Sequence, residues 1–392
     1  MKNTFDFDKV YDRRHSFSIK YDAWKDAGVP EDALPMWVAD MDFPSPPCVQ
    51  EALKDRSQSG FFGYSSADES YYSTVEKWFR ERFSYMVESE EILLAPGIVL
   101  AIYIAIKAFT SEGDGILIQR PVYYPFSNAI IGLQRKLVNN PLVFKNGKYE
   151  IDFEDFERKI VENQVKLFIL CSPHNPVGRV WKKEELERMA DICISHDVLI
   201  ISDEIHADFT YPGYSHVMFP SVREGLRDRT IICTAPSKTF NLAGLQISNI
   251  IISNPELRGK YKEVFHLDGH SEPGIMGIVA CKAAYEEGGE WLSALLEYLK
   301  GNLDWIRDFL KKELPWAELA EPEGTYLVWI SFEKSGFSDE EIKKRLLEKG
   351  KLWLDEGTMF GPEGAYYQRF NIAAPRTLIE DAFRRVVKVF QD

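Results

Sequence analysis

The residue with the most chemical capacity is Lys238. It stands in TAPSKTFNLAGLQ (234–246), between the β-branched run 230–233 and the apolar run ISNIIIS (247–253). Both flanks read as strands of an apolar sheet, which puts Lys238 on a short turn between them. Burial there lowers an amine's pKa and leaves it a usable nucleophile, able to form a Schiff base with an aldehyde. The plain alternative is a loop lysine whose ammonium reaches water. Three other polar residues follow apolar runs: Tyr123 after GILIQRPV, Asn175 after VKLFILCSPH and Asp203 after VLIIS.

The elements that must hold these residues are legible in outline. The runs are continuously apolar rather than alternating, so they read as strands buried on both faces, as in a parallel sheet with helices on either side. In such sheets ligands bind beyond the carboxyl ends of the strands, where the Tyr123 loop, Asn175, Asp203 and Lys238 all fall. ILLAPG leads into IVLAIYIAIKAF, so a glycine turn opens a helix at Ile98 and Val99 with free backbone N–H groups, a weak anion signal. Ser66 or Asp68 is placed to cap a helix carrying Tyr71, Val75, Trp78 and Phe79 on one face. A helical period also runs through 182–195. The stretch LPMWVADMDFPSPP (34–47) holds four prolines and two aromatics, so it is no flexible linker. It is either a capping arm or a wall of a site, lined by Trp37, Val38 and Ala39. After about residue 288 the texture changes to a long leucine-striped helix (290–310), the strand TYLVWISF, and helices near Ile342 and over 376–390. We therefore expect an α/β chain with a large domain over 49–288 and a smaller α+β domain from 1–48 and 289–392.

An amine, a carboxylate and an amide at strand ends suit a cofactor with an aldehyde, a ring nitrogen and a phenolic oxygen, which describes pyridoxal 5′-phosphate. Asp203 would keep the ring nitrogen protonated, Asn175 would donate to the ring oxygen, and Tyr123 would lie over the ring. Each has a plainer alternative: Asp203 as a helix N-cap, Asn175 as a turn residue before proline, Tyr123 as core packing.

The 392 residues carry 47 basic and 61 acidic side chains, a net charge of −14. That balance argues against nucleic acid and against anionic membranes as partners. Five scattered cysteines without metal spacing fit buried, reduced thiols. His174 and His206 lack metal spacing too, so no metal is assigned. The N-terminal MKNTFDFDKV has no apolar stretch, and the longest apolar run (92–106) is split by Pro96 and Gly97. A cytoplasmic protein is expected.

SPHNPVGRVW (172–181), SDEIHADF (202–209), APSKTFNLAG (235–244) and DEGTMFGPEGAYYQRFNIAAP (355–375) resemble the fold-type I pyridoxal-phosphate enzymes. WVADMDFPSPP (37–47) resembles one branch of them, the MalY/PatB-type C–S β-lyases that include cystathionine β-lyases and cystalysin. The resemblance covers about 37–374. It implies that Lys238 bonds the cofactor aldehyde, with Asp203, Asn175 and Tyr123 as above. It also implies that Ile98, Val99 and Ser237 hold the phosphate and that Arg369 grips the substrate's α-carboxylate as a bidentate fork. Without the resemblance, Arg369 reads as a surface salt bridge. Tyr64 matches a tyrosine reaching the phosphate of a neighbouring subunit, hence a homodimer with shared sites; it joins Arg369, Asn175, Val38 and Ala39 around the substrate. Three departures from the wider aminotransferase pattern fit the lyase branch: Gln246 where a phosphate-binding arginine is usual, Ala235 for a serine, and His206 for a tyrosine near the ring oxygen. The implied reaction is β-elimination from cystathionine, cysteine or another S-substituted cysteine, with Lys238 as nucleophile and then base, and Tyr123 or Tyr124 protonating the thiolate. Two rivals are an aminotransferase with the same cofactor and a cofactor-binding regulator. Trp37, Met359 and Phe360 are candidates for the leaving-group pocket.

Overall fold

The computed structural model describes residues 5–270 and 273–391. Met1 to Thr4, part of the N-terminal stretch discussed above, lie outside them.

A seven-stranded sheet dominates the chain. Its order is Ile92–Ala95, Ser248–Ile252, Thr230–Thr234, Leu199–Asp203, Leu167–Cys171, Gly115–Ile118 and Lys136–Asn139. Neighbours pair in parallel except along Ser248–Ile252, which runs antiparallel to both of its partners. The expected parallel sheet is thus correct but for this strand, because ISNIIIS returns directly after the lysine segment, with no long crossover helix between. Successive side chains of a strand point to opposite faces, and both faces here are covered. Leu117, Phe168, Leu170 and Ile200 pack with Phe156, Leu186 and Met189 from the helices Phe153–Glu162 and Lys183–Ser195. Ile116, Leu167, Ile169 and Ile201 pack with Ile102, Phe126 and Tyr261 from Ile98–Phe109, Tyr124–Gly132 and Pro255–Leu267. This two-sided burial is why the strands carry no polar alternation.

The helix Glu69–Phe83 begins where Asp68 accepts the Tyr71 N–H, and Tyr71, Val75, Trp78 and Phe79 are its buried face. Of the two capping candidates, Asp68 is the one used.

A second, antiparallel sheet orders Glu318–Ala320, Leu327–Ser331, Tyr367–Asn371 and Asp355–Glu356. The helix Gly289–Glu313 buries Leu292, Leu295, Leu299, Leu303, Ile306 and Leu310, each worth about 1.5–3 kcal/mol of transfer from water. Leu34–Pro35 pairs in parallel with Leu352–Trp353, and Trp37 stacks on Trp353 at 4.6 Å. The proline-rich front stretch is therefore packed against the C-terminal part of the chain. Between Asp355 and Arg369 the chain doubles back tightly. A Cβ on Gly357 would collide with the backbone oxygens of Gly364 and Tyr367, so only glycine fits there.

Candidate active site

Four neighbouring parallel strands end at the same edge of the large sheet, and their continuations converge. One cavity there is lined by Trp37, Val38 and Ala39 from the front stretch and by Ile98 and Val99 at the start of a helix. Tyr123, Tyr124, Asn175, Asp203, His206, Ser237, Lys238 and Arg369, all expected from the sequence, line it as well. Pro96, Gly97, Leu100, Cys171, Ile205, Ala243, Ile247, Ser248 and Asp355 also line it.

Lys238 does not sit on a plain turn. It lies in a four-residue helix, Pro236–Thr239, which Pro236 starts with its fixed φ and which Thr239 anchors through Oγ1 to Asp208 Oδ2 at 2.7 Å. Nζ donates to the Ala39 carbonyl at 2.8 Å. The side chain keeps some surface because it faces the cavity, yet the protein around it lowers the amine to about 8. Burial is the chief cause, with Asp40 opposing and Arg369 assisting.

Asp203 ends its strand at 3% exposure and accepts the Ile205 N–H at 3.2 Å. Turns rather than a helix follow it, so it is no helix cap. Burial raises its carboxyl to about 7, against the opposing charge of Lys238. His206 is buried, lowered to about 3 chiefly by burial and then by Lys238 and Arg369, and its Nδ1 has no partner among the described residues. The Tyr123 and Tyr124 hydroxyls are both raised by burial, so both stay protonated through the ordinary pH range.

Arg369 is nothing like a surface salt bridge. It is 3% exposed, lies in the strand Tyr367–Asn371 and ties three parts of the chain together. Nη1 donates to Asn175 Oδ1 at 2.9 Å, and Nη2 donates to the Trp37 carbonyl at 2.8 Å and to Asp355 Oδ2. Asn371 Nδ2 donates to the Val38 and Asp40 carbonyls at 2.8 Å each, and Tyr326 Oη donates to the Ala39 carbonyl at 3.2 Å. The wall 37–40 is thus held through its carbonyls by side chains from distant elements.

Some expectations fall outside this cavity. Tyr64 is fully exposed and lines no part of it. Gln246 is exposed with φ 52°, away from the cavity lining. Met359 is exposed; Phe360 is buried with its ring 4.9 Å from the Arg369 guanidinium but lies behind the lining. Asp355, Asn371 and Tyr326 were missed by sequence reading. The register that sets Asp355 opposite Arg369 was the signal, and it exists only once the hairpin is formed.

The profile of the family described as aminotransferase class I and II matches residues 32–386. The chain belongs to that family. Cystathionine beta-lyase PatB of Bacillus subtilis (strain 168) is 41% identical over 380 residues, covering 97% of this chain and 98% of that protein. The crystal structure of cystalysin from Treponema denticola, which contains a pyridoxal 5′-phosphate cofactor, superposes with a TM-score of 0.96 at 37% identity, covering 99% of each chain. The PLP-bound C-S lyase from Staphylococcus hominis superposes with a TM-score of 0.92 at 33% identity, covering 99% of this chain and 98% of that one. Among the described residues no helix is long and apolar enough to cross a membrane.

Proposed function

We propose that the chain is a pyridoxal-phosphate-dependent carbon–sulfur β-lyase that cleaves cystathionine or related S-substituted cysteines to pyruvate, ammonia and a thiol. The observation that carries this reading is the meeting of Lys238, Asp203, Asn175 and Arg369 in one cavity, in a chain alike over nearly its whole length to cystathionine β-lyase and C–S lyases.

The residues present fit the cofactor. Asp203 is a buried acid short of a full cationic partner, which a protonated ring nitrogen supplies. The helix Ile98–Phe109 has no side-chain cap at Gly97, so its first N–H groups suit a phosphate, with Ser237 lining the same cavity. His206 brings a neutral ring with an unpartnered nitrogen. When bound, the cofactor supplies an aldehyde that captures amines and a ring that accepts the electrons left at Cα. Lys238 Nζ is the amine that would hold that aldehyde. With its pKa near 8 it is also fit to take the Cα proton, while the Ala39 carbonyl orients it. Arg369, positioned by Asn175, would take the substrate's α-carboxylate. Tyr123 or Tyr124, protonated throughout, would give a proton to the departing sulfur. Val38 and Ala39 would bound the substrate from the front wall.

The division into a large domain over 49–288 and a small one from both chain ends is consistent with the pairing of Leu34–Pro35 to Leu352–Trp353. The exposed Tyr64 suits a role in a second copy's site, so we take the working unit to be a homodimer. The described cysteines are free thiols, which suits the cytoplasm.

The assay is release of pyruvate and thiol from cystathionine, run against keto-acid-dependent amino transfer. Stoichiometric pyruvate without a keto acid is expected. Amino transfer with no pyruvate would make the protein an aminotransferase instead.

A further inference from the structure

A carboxylate gripped by two parallel N–H bonds needs two neighbouring nitrogens of a guanidinium, either Nη1 with Nη2 or Nη2 with Nε. Both choices use Nη2. In this structure the two hydrogens of Nη2 are already committed, one to the Trp37 carbonyl at 2.8 Å and one to Asp355 Oδ2. One hydrogen of Nη1 goes to Asn175, and Nε is buried with no partner among the described residues. Asp355 is 2% exposed, stands directly opposite Arg369 across the two strands and lines the same cavity. It is therefore a carboxylate of the chain itself, standing on an edge of the guanidinium that a substrate carboxylate requires.

We propose that Asp355 is the internal counter-carboxylate of Arg369: it holds the guanidinium in place before a substrate arrives and competes with the substrate's α-carboxylate for Nη2. The inference rests on the reading of Arg369 given above. Asp355 acts through Arg369 and is a positioning residue with a specificity cost. A second carboxylate drawn to this guanidinium must stand beside the charge of Asp355, so the resident acid weakens binding of every carboxylate ligand.

The test uses the cofactor-loaded enzyme and propionate, a carboxylate without an amine, with binding measured by calorimetry. Asp355→Asn keeps the shape and an acceptor for Nη2 but removes the charge. We expect it to bind propionate on the order of tenfold more tightly. KM for the amino-acid substrate should fall by a similar factor, with kcat changed less. Asp355→Ser, a smaller neutral variant, should shift both in the same direction and decides the matter if the asparagine variant does not fold. Unchanged or weaker binding in a folded neutral variant overturns the proposal. Arg369→Lys separates the two readings. If it leaves propionate binding and KM intact, the reading of Arg369 falls; if it weakens both while Asp355→Asn changes neither, only the role of Asp355 falls.

Discussion

Lys238 owes its reactivity to what surrounds it. An ordinary lysine at pH 7 has roughly one neutral amine in three thousand, whereas an amine lowered to about 8 has roughly one in ten. Only the neutral amine attacks an aldehyde. Capture of pyridoxal phosphate by the cofactor-free protein should therefore speed up about tenfold per pH unit below pH 8 and level off above it. Asp203, raised to about 7, ionises in the same window and should add a second inflection by stabilising the incoming ring. Stopped-flow absorbance across pH 6 to 9 resolves the two. Asp203→Asn should leave a single transition near 8, and Lys238→Ala should remove the covalent absorbance change and all turnover. Capture whose rate is flat across that range would mean that Lys238 is not the desolvated amine described above.

The elements explain how much of this was legible from the chain alone. Strands buried on both faces announce themselves as runs of Ile, Leu and Val, and the residues that follow them are read off directly. Tyr123, Asn175, Asp203 and Lys238 were found that way. The cap at Asp68 was visible for a similar reason, since its signal is local. Asp355, Asn371 and Tyr326 carry no local mark; they matter because strand register and chain reversal bring them to Arg369 and to the wall 37–40. The helix under Lys238 was missed because four residues are too few for a period, and its anchor is a long-range one. Thr239 Oγ1 donates to Asp208 Oδ2 at 2.7 Å, and Asp208 Oδ1 accepts from Arg82 Nε at 2.7 Å. Thr239→Val keeps the shape and deletes the bond, leaving the nearly buried Asp208 less satisfied. A loss of about 1–2 kcal/mol is expected in denaturant unfolding. Because the helix carries the reacting amine, kcat should fall by more than KM changes. An unfolding loss with kcat untouched would confine the bond to a structural role.

At the scale of the whole molecule, Tyr64 is out of place within a single chain. Tyr64 is fully exposed, and Phe61 and Phe62 beside it are 77% and 59% exposed. Three aromatics presented together on a chain of net charge −14 are a costly surface to leave in water, and a second copy is the partner the proposed function calls for. If Tyr64 serves the site of the other copy, its defect and a Lys238 defect must be separable between subunits. Lys238→Ala and Tyr64→Ala should each be inactive as pure proteins. After mixing and subunit exchange, half the dimers are hybrids. Each hybrid has one site with both defects and one with neither, since the intact Lys238 then meets an intact Tyr64 from across the interface. Activity should recover to about a quarter of the wild-type value per subunit, the proportion fixed by two-fold symmetry. Sedimentation should show a dimer throughout. Exchange confirmed by mass-tagged subunits with no recovery of activity would mean that Tyr64 acts within its own chain or not at all.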